Sequence, residues 1–445
     1  MSLASASLHA ATDAPAHFQI NKLAVLKIEF TFDIPIRLIE FLAPIFPSSS
    51  TIICPLRSSC SPSSTMLEPF RGYKSLTALH LNDITDLSAG NVKLPFSLQV
   101  LSLQQVNRSY RAADLQGLSL ALGALMNLTE LSLPSGIPFG HLQKLKRLRI
   151  KNIGMSEIVQ LEKMSCPDLQ MLSVTFPVFN PPGVFPNLNR FASLQRLSIT
   201  NYRGTNRAMD GKVDRLGLRS LTLLNNTLPL ALFRLSKLEE LDLAPIAVQG
   251  IPFLYETDLG ALATASQLTR LELAMPPSAL MAIARAVDLA VLPRLEEVEL
   301  VVAIDPNEHP QLPAGADLTA AVLAALSPAR LRLLSLSGFQ FTNALLHDIS
   351  KFGELRSVMI ILRDLELKFD SNSLRFASAL KKLREFSVRR PTMKSSPSDL
   401  TTDGVLEIFS GLPELEVLML VGFRSPFSAD DLERPFFKRV YVHMK

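Results

Sequence analysis

From Leu76 onward the chain repeats one arrangement of apolar and polar positions, Leu-x-x-Leu-x-Leu, with Ile, Val or Phe as substitutes. Copies begin at Leu76, Leu98, Leu128, Leu145, Leu169, Leu194, Leu218, Leu238, Leu268, Leu295, Leu331, Leu355, Leu383 and Leu415, with a weak last copy at Phe437. The fourth and sixth positions of a copy, such as Leu241 and Leu243, point the same way along a short strand, because strand side chains alternate with period two. The third and fifth positions, and the residue after the last Leu, point the opposite way. Between the strands lie Ala- and Leu-rich stretches, at 278–287, 317–326 and 402–409, that predict helices with Ser278, Asp317 and Thr402 as N-caps. Copies spaced too closely for a helix, from Leu128 to Leu145 and from Leu218 to Leu238, predict loops or 3₁₀ turns. Strand then helix, repeated, predicts a parallel sheet in which no unit buries its apolar face alone, so each depends on its neighbours.

The mean spacing of about 26 residues and the motif itself resemble the leucine-rich repeat superfamily, in its irregular ribonuclease-inhibitor-like branch, over roughly residues 67–445. The resemblance implies an α/β leucine-rich-repeat solenoid of about 15 units, a curved horseshoe with a parallel concave sheet and with helices and loops on its convex side. The turn position after each strand, where many family members carry Asn or Cys, holds Asn226 in one copy but Ile84, Val106, Ile153, Ile246 and Phe339 elsewhere. The missing asparagine ladder and the ragged lengths resemble the repeats of F-box/leucine-rich-repeat proteins. That likeness implies a substrate receptor of an SCF-type ubiquitin ligase, with a Skp1-like adaptor as a partner. A second likeness, of Leu228–Leu243 to plant disease-resistance repeats, implies a sensor fragment of an immune or signalling receptor. A third, to Ran GTPase-activating repeats, implies GTPase regulation through an arginine and an asparagine, and no such pair stands out.

The region before the array reads differently. Residues 1–22 are Ala- and Ser-rich and predict a disordered tail, and residues 23–46 predict an orphan first repeat beginning at Leu23. Residues 47–66 are rich in Ser and Pro and predict a linker or insertion, with room for one degenerate unit before Leu76. Ile34-Pro-x-x-Leu38-Ile39-x-x-Leu42 faintly resembles the opening helix of an F-box, without the rest of that module. The N-terminus lacks the basic and apolar regions of a signal peptide.

Composition narrows the functions. The net charge of +4 over 445 residues gives no basic stripe, so nucleic acid is not an expected partner. No apolar run is long enough to span a bilayer, so no membrane partner is expected, and a cytoplasmic or nuclear location is. Apolar residues make up 47% and charged residues only 19%, which excludes disorder as the main state. Cys54, Cys60 and Cys166 are too few for a disulfide framework and show no zinc spacing. No phosphate-binding loop, zinc-protease motif or nucleophile elbow occurs, and the histidines form no ligand set. No enzyme activity, cofactor or metal is expected.

The expected site is therefore the concave face. Its outward positions give a basic patch of Arg147, Arg149, Lys151 and Arg196, and a mostly acidic one of Glu240, Asp242, Arg270, Glu272, Glu297 and Glu299. A third patch is apolar: Leu333, Met359, Ile361, Val417, Met419 and Val421, with Ser335, Ser357 and Ser387 interspersed. Solvated sheet faces are normally polar, and a contiguous exposed apolar patch marks an interaction site. The expectation is a protein-interaction scaffold that binds a protein partner there.

Overall fold

The structure is a computed structural model. It describes residues 51–54, 76–84, 94–106, 112–140, 142–178, 184–202, 211–226, 230–244, 259–286, 289, 292–302, 315–362, 371–389, 400–423, 435–436 and 440–444. The tail expected at 1–22, the repeat at 23–46 and the F-box-like stretch lie outside the described residues. The chain divides into two compact units, Met1–Leu216 and Gly217–Lys445.

In the first unit the strands are β1 (Thr51–Cys54), β2 (Ala78–Ile84), β3 (Val100–Val106), β4 (Glu130–Leu133), β5 (Arg147–Ile150), β6 (Met171–Thr175) and β7 (Arg196–Thr200). Each pairs in parallel with the next in sequence. Two helices are described, α1 (Ala112–Gly123) and α2 (Met155–Lys163), with a 3₁₀ turn at Leu188–Arg190. Strand β1 lies within the stretch 47–66, expected as a linker or insertion with room for one degenerate unit: Thr51 pairs with Ala78, so these four residues continue the ladder by one further strand. Between β4 and β5, where the copies are closest, the described residues are turns.

In the second unit the strands are β8 (Ser220–Leu224), β9 (Glu240–Ala244), β10 (Arg270–Met275), β11 (Glu297–Val302), β12 (Leu333–Ser337), β13 (Ser357–Ile361), β14 (Glu385–Arg389), β15 (Val417–Val421) and β16 (Tyr441–Met444). They too pair in parallel and in sequence order. The helices are α3 (Pro277–Ala286), α4 (Gly315–Ala325), α5 (Asn343–Ile349), α6 (Ser371–Leu374) and α7 (Thr402–Phe409), and each touches the next. A 3₁₀ turn at Leu230–Leu232 fills the short copy from Leu218 to Leu238.

Burial follows the predicted alternation. Leu241 and Leu243 are each 1% exposed, and the equivalent pairs Leu148/Ile150, Leu271/Leu273 and Leu418/Leu420 are equally buried. Burying one Leu contributes about 1.5–3 kcal/mol, and the first Leu of each copy (Leu145, Leu268, Leu355) adds a further buried column. The second position of each copy binds the ladder together through its carbonyl. Thr269 and Arg270 both donate their N–H to Glu239 O at 2.8 and 3.1 Å, and Glu296 and Glu297 donate to Thr269 O at 2.9 Å.

The missing asparagine ladder has a structural counterpart. The residue that leaves the strand takes a left-handed φ at Asn152 (54°), Asn201 (62°), Asn225 (52°), Gly338 (79°) and Gly422 (83°). Asn and Gly adopt that region at least cost. The turn then sends the next side chain inward: Ile153, Tyr202, Phe339 and Phe423 are all buried. Backbone bonds replace those of an asparagine side chain, as Ile153 N–H donates to Thr175 O at 2.8 Å and Gly338 N–H to Ile361 O at 3.0 Å. Both units are thus leucine-rich-repeat solenoids whose turn column is largely apolar.

Three local expectations are corrected. Helix α7 is capped by Thr401, whose side chain accepts from Gly404 N–H at 3.1 Å, one residue before Thr402. Ser278 and Asp317 lie inside the first turns of α3 and α4 rather than capping them. The last strand is offset: Leu418 pairs with Val442, two residues later than the pattern from Phe437 places it.

Candidate functional site

The outward positions of the strands form three rows across each ladder. In the first unit, one row runs Val100, Glu130, Arg147, Met171, Arg196 and the next runs Ser102, Ser132, Arg149, Ser173, Ser198. Arg147, Arg149, Lys151 and Arg196 are exposed, but Arg147 is neutralised by Glu130 at 3.0 Å. The basic patch reduces to Arg149, Lys151 and Arg196, set among serine hydroxyls. His80 projects from β2 half-buried, and burial lowers its pKa, opposed by the charge of Glu130. The Cys166 thiol is buried, donates to Leu142 O at 2.9 Å and is pushed up to about 11 by desolvation, so it is an inert packing group.

In the second unit the first row runs Ser220, Glu240, Arg270, Glu297, Leu333, Ser357, Glu385, Val417, Tyr441. The middle row places Asp242, Glu272 and Glu299 on adjacent strands, followed by Ser335, Met359, Ser387 and Met419. Among the described residues of these rows Arg270 is the cation beside the acids, 3.4 Å from Glu272 and 4.0 Å from Glu297. Crowding leaves its mark on protonation. The Asp242 carboxyl is pushed up to about 6 by burial and by the charge of Glu272, with Arg270 opposing and Glu299 adding to the rise. Glu299 is raised for the same reasons, against Arg270 and a hydrogen bond from Ser335.

The apolar patch is present but interrupted. Leu333, Met359 and Ile361 lie on β12 and β13, and Val417, Met419 and Val421 on β15, all half-buried. Strand β14 runs between them with Glu385, Ser387 and Arg389. Glu385 accepts from the Ser357 hydroxyl at 3.3 Å, and Arg389 reaches to Ser387 Oγ at 3.4 Å and Met419 Sδ at 3.9 Å. The expectation of one contiguous apolar patch is corrected to two apolar islands flanking a polar strand. Ser335 and Ser387, expected at the surface, are only 4% and 6% exposed. Their side chains are shorter than the glutamate and methionines on either side in the row, which cover them.

Two features of the face lie outside the three patches. Glu385 and Arg389 divide the apolar islands, and beside the acids Leu224 pairs with Ala244, while Ala274 pairs with Val301 in a row that continues through Ser337 to Ile361. Both were written in the sequence, and cross-strand register is what assembles them. Among the described residues, no group of three or more His, Cys, Asp or Glu is placed to hold a metal ion. No helix among them is long and apolar enough to cross a membrane.

No family model matches the chain, and no curated protein matches it. Among solved structures it is similar to TLR13 in the crystal structure of the TLR13–ssRNA13 complex, at 14% identity and a TM-score of 0.45. That alignment covers 90% of this chain and 57% of the TLR13 chain, so this chain spans less than two thirds of its length.

Proposed function

We propose that the chain is a non-enzymatic protein-recognition scaffold that captures a protein partner on the open face of its sheet. The observation that supports this reading is the set Leu333, Met359, Ile361, Val417, Met419 and Val421, on strand positions that water normally claims for polar side chains. Methionine suits such a surface because its unbranched, polarizable side chain adapts to a partner. The exposed basic positions Arg149 and Arg196 act on the rate and orientation of approach.

The test is capture by the full chain, compared between the wild type and Met359→Asp/Val417→Asp. The same protein set must be lost with the variant while the fold is retained; an unchanged set overturns the reading. Met419 is a poor choice for this variant, because an aspartate there would face Arg389 and pair with it.

A finer reading, that the captured protein is presented to an SCF-type ubiquitin ligase, draws on the missing asparagine ladder and the ragged repeat lengths. It predicts co-purification of a Skp1-like adaptor through residues before the array, and co-purification without that adaptor refutes it.

A further inference from the structure

Strands β9, β10 and β11 carry two unlike rows side by side. Asp242, Glu272 and Glu299 stand in register as a row of carboxylates. Two residues further along the same strands, Ala244, Ala274 and Val301 form a half-buried apolar row. Counting Glu240 and Glu297, five carboxylates among the described residues share this area with one guanidinium, that of Arg270. Phosphates are repelled by such a surface, and lysine or arginine is attracted.

The spacing of the rows selects the shape of the occupant. Neighbouring strands lie about 4.8 Å apart, so the three carboxylates span about 9.6 Å, with the apolar row about 6.7 Å to one side. A helix laid across the strands presents residues i, i+4 and i+7 over about 10.5 Å, a mismatch of about 1 Å. An extended peptide presents alternate side chains over about 13.4 Å, a mismatch of about 4 Å. Two alanines in the apolar row let a helix backbone approach closely.

We propose that this part of the face docks a basic amphipathic α-helix of a partner protein, lying across β9–β11. Lysine or arginine at i, i+4 and i+7 meets Asp242, Glu272 and Glu299, and the adjoining apolar edge packs on Ala244, Ala274 and Val301. The proposal rests on the reading of the open face as a protein-binding surface, and it adds the chemistry of the occupant.

The experiment uses the full chain and a labelled helical peptide of about 18 residues with lysines at i, i+4 and i+7 and leucines on the adjoining edge. The control peptide has the same composition with the stripe scrambled. Fluorescence anisotropy should show at least ten-fold tighter binding of the striped peptide, weakening as salt rises from about 50 to about 300 mM. The near-isosteric variant Asp242→Asn/Glu272→Gln/Glu299→Gln should erase that preference, and Glu272→Lys alone should weaken it. Equal binding of the two peptides, or an undiminished preference in a folded triple variant, overturns the proposal. If the striped peptide shows no preference while partner capture still depends on Met359 and Val417, the helix proposal fails and the broader reading stands. If capture is also indifferent to Met359 and Val417, both fail.

Discussion

Asp242 on β9 and Glu272 on β10 are direct register partners, two carboxylates on one face of adjacent parallel strands. Like charges in that arrangement disfavour each other, and here burial adds to the penalty.

The consequence is a stability that falls as pH rises. Asp242 holds its proton to about pH 6 in the folded chain, against an ordinary value of 3.8. The folded state therefore binds more protons than the unfolded one between those values, and the contribution of this group is greatest below the ordinary value and is lost through about pH 6. Glu299 acts in the same direction. Asp242→Asn should raise the melting temperature at about pH 7.5 and flatten its decline between about pH 4 and about pH 6. The gain is at most about 1 kcal/mol, because the half-buried carboxyl is screened by solvent. Thermal melts across that range check it; a variant less stable than wild type at the higher pH would show that the charged form is favourable.

Leu241→Ala removes a side chain that is 1% exposed and should cost about 2–5 kcal/mol. Because each repeat is stabilised by its neighbours, the loss should loosen β8 and β10 before β14 and β15. Hydrogen exchange reads this directly, and uniform loosening of the second unit would contradict a repeat-by-repeat stack.

Gly338 leaves β12 at φ +79°, and a Cβ placed there would come within 3.2 Å of the backbone oxygen and Cβ of Val302. Gly338→Ala therefore combines left-handed strain with a clash against backbone, and should cost about 1–3 kcal/mol. Gly353 offers a control: nothing stands within 4 Å of a Cβ there and its φ is not positive, so Gly353→Ala should be far milder. Denaturant titrations of the two variants decide it, and equal destabilisation would contradict the turn geometry.

The strands of the array were legible because Leu-x-x-Leu-x-Leu encodes period-two burial, and two inward leucines such as Leu241 and Leu243 fix the register without ambiguity. The exceptions have local reasons. Strand β1 begins at Thr51-Ile-Ile-Cys with no leucine at the opening position, so its sequence reads as part of a Ser/Pro stretch. The last strand follows Val440 instead of Phe437 because the ladder, not the nearest apolar residue, sets its register. At Thr401 and Thr402 two adjacent capping residues compete, and the chain entry decides between them. On the open face the individual positions were legible but their combination was not. The burial of Ser335 and Ser387 depends on how far Glu299, Met359 and Met419 reach from neighbouring strands, and the division of the apolar patch depends on Arg389 leaning onto Met419.

The two exposed arginines of the first unit bear on rate more than on lifetime. Reversing Arg149 and Arg196 together should mainly slow partner association and reduce its salt dependence, since both are exposed. Stopped-flow association at two ionic strengths checks this; an effect confined to dissociation would mean that the two arginines are buried in the complex.

Protein capture on the open face is tested most directly by comparing partner affinity between the wild type and Met359→Asp/Val417→Asp. Both side chains are half-buried on the open face, and neither new carboxylate has a cation opposite it in its row: Met359 lies between Ser335 and Ser387, and Val417 between Glu385 and Tyr441. The fold should be unchanged by circular dichroism and the affinity lower by at least about 30-fold, the effect of about 2 kcal/mol for a carboxylate buried without a partner. A folded double variant that binds with wild-type affinity would contradict it.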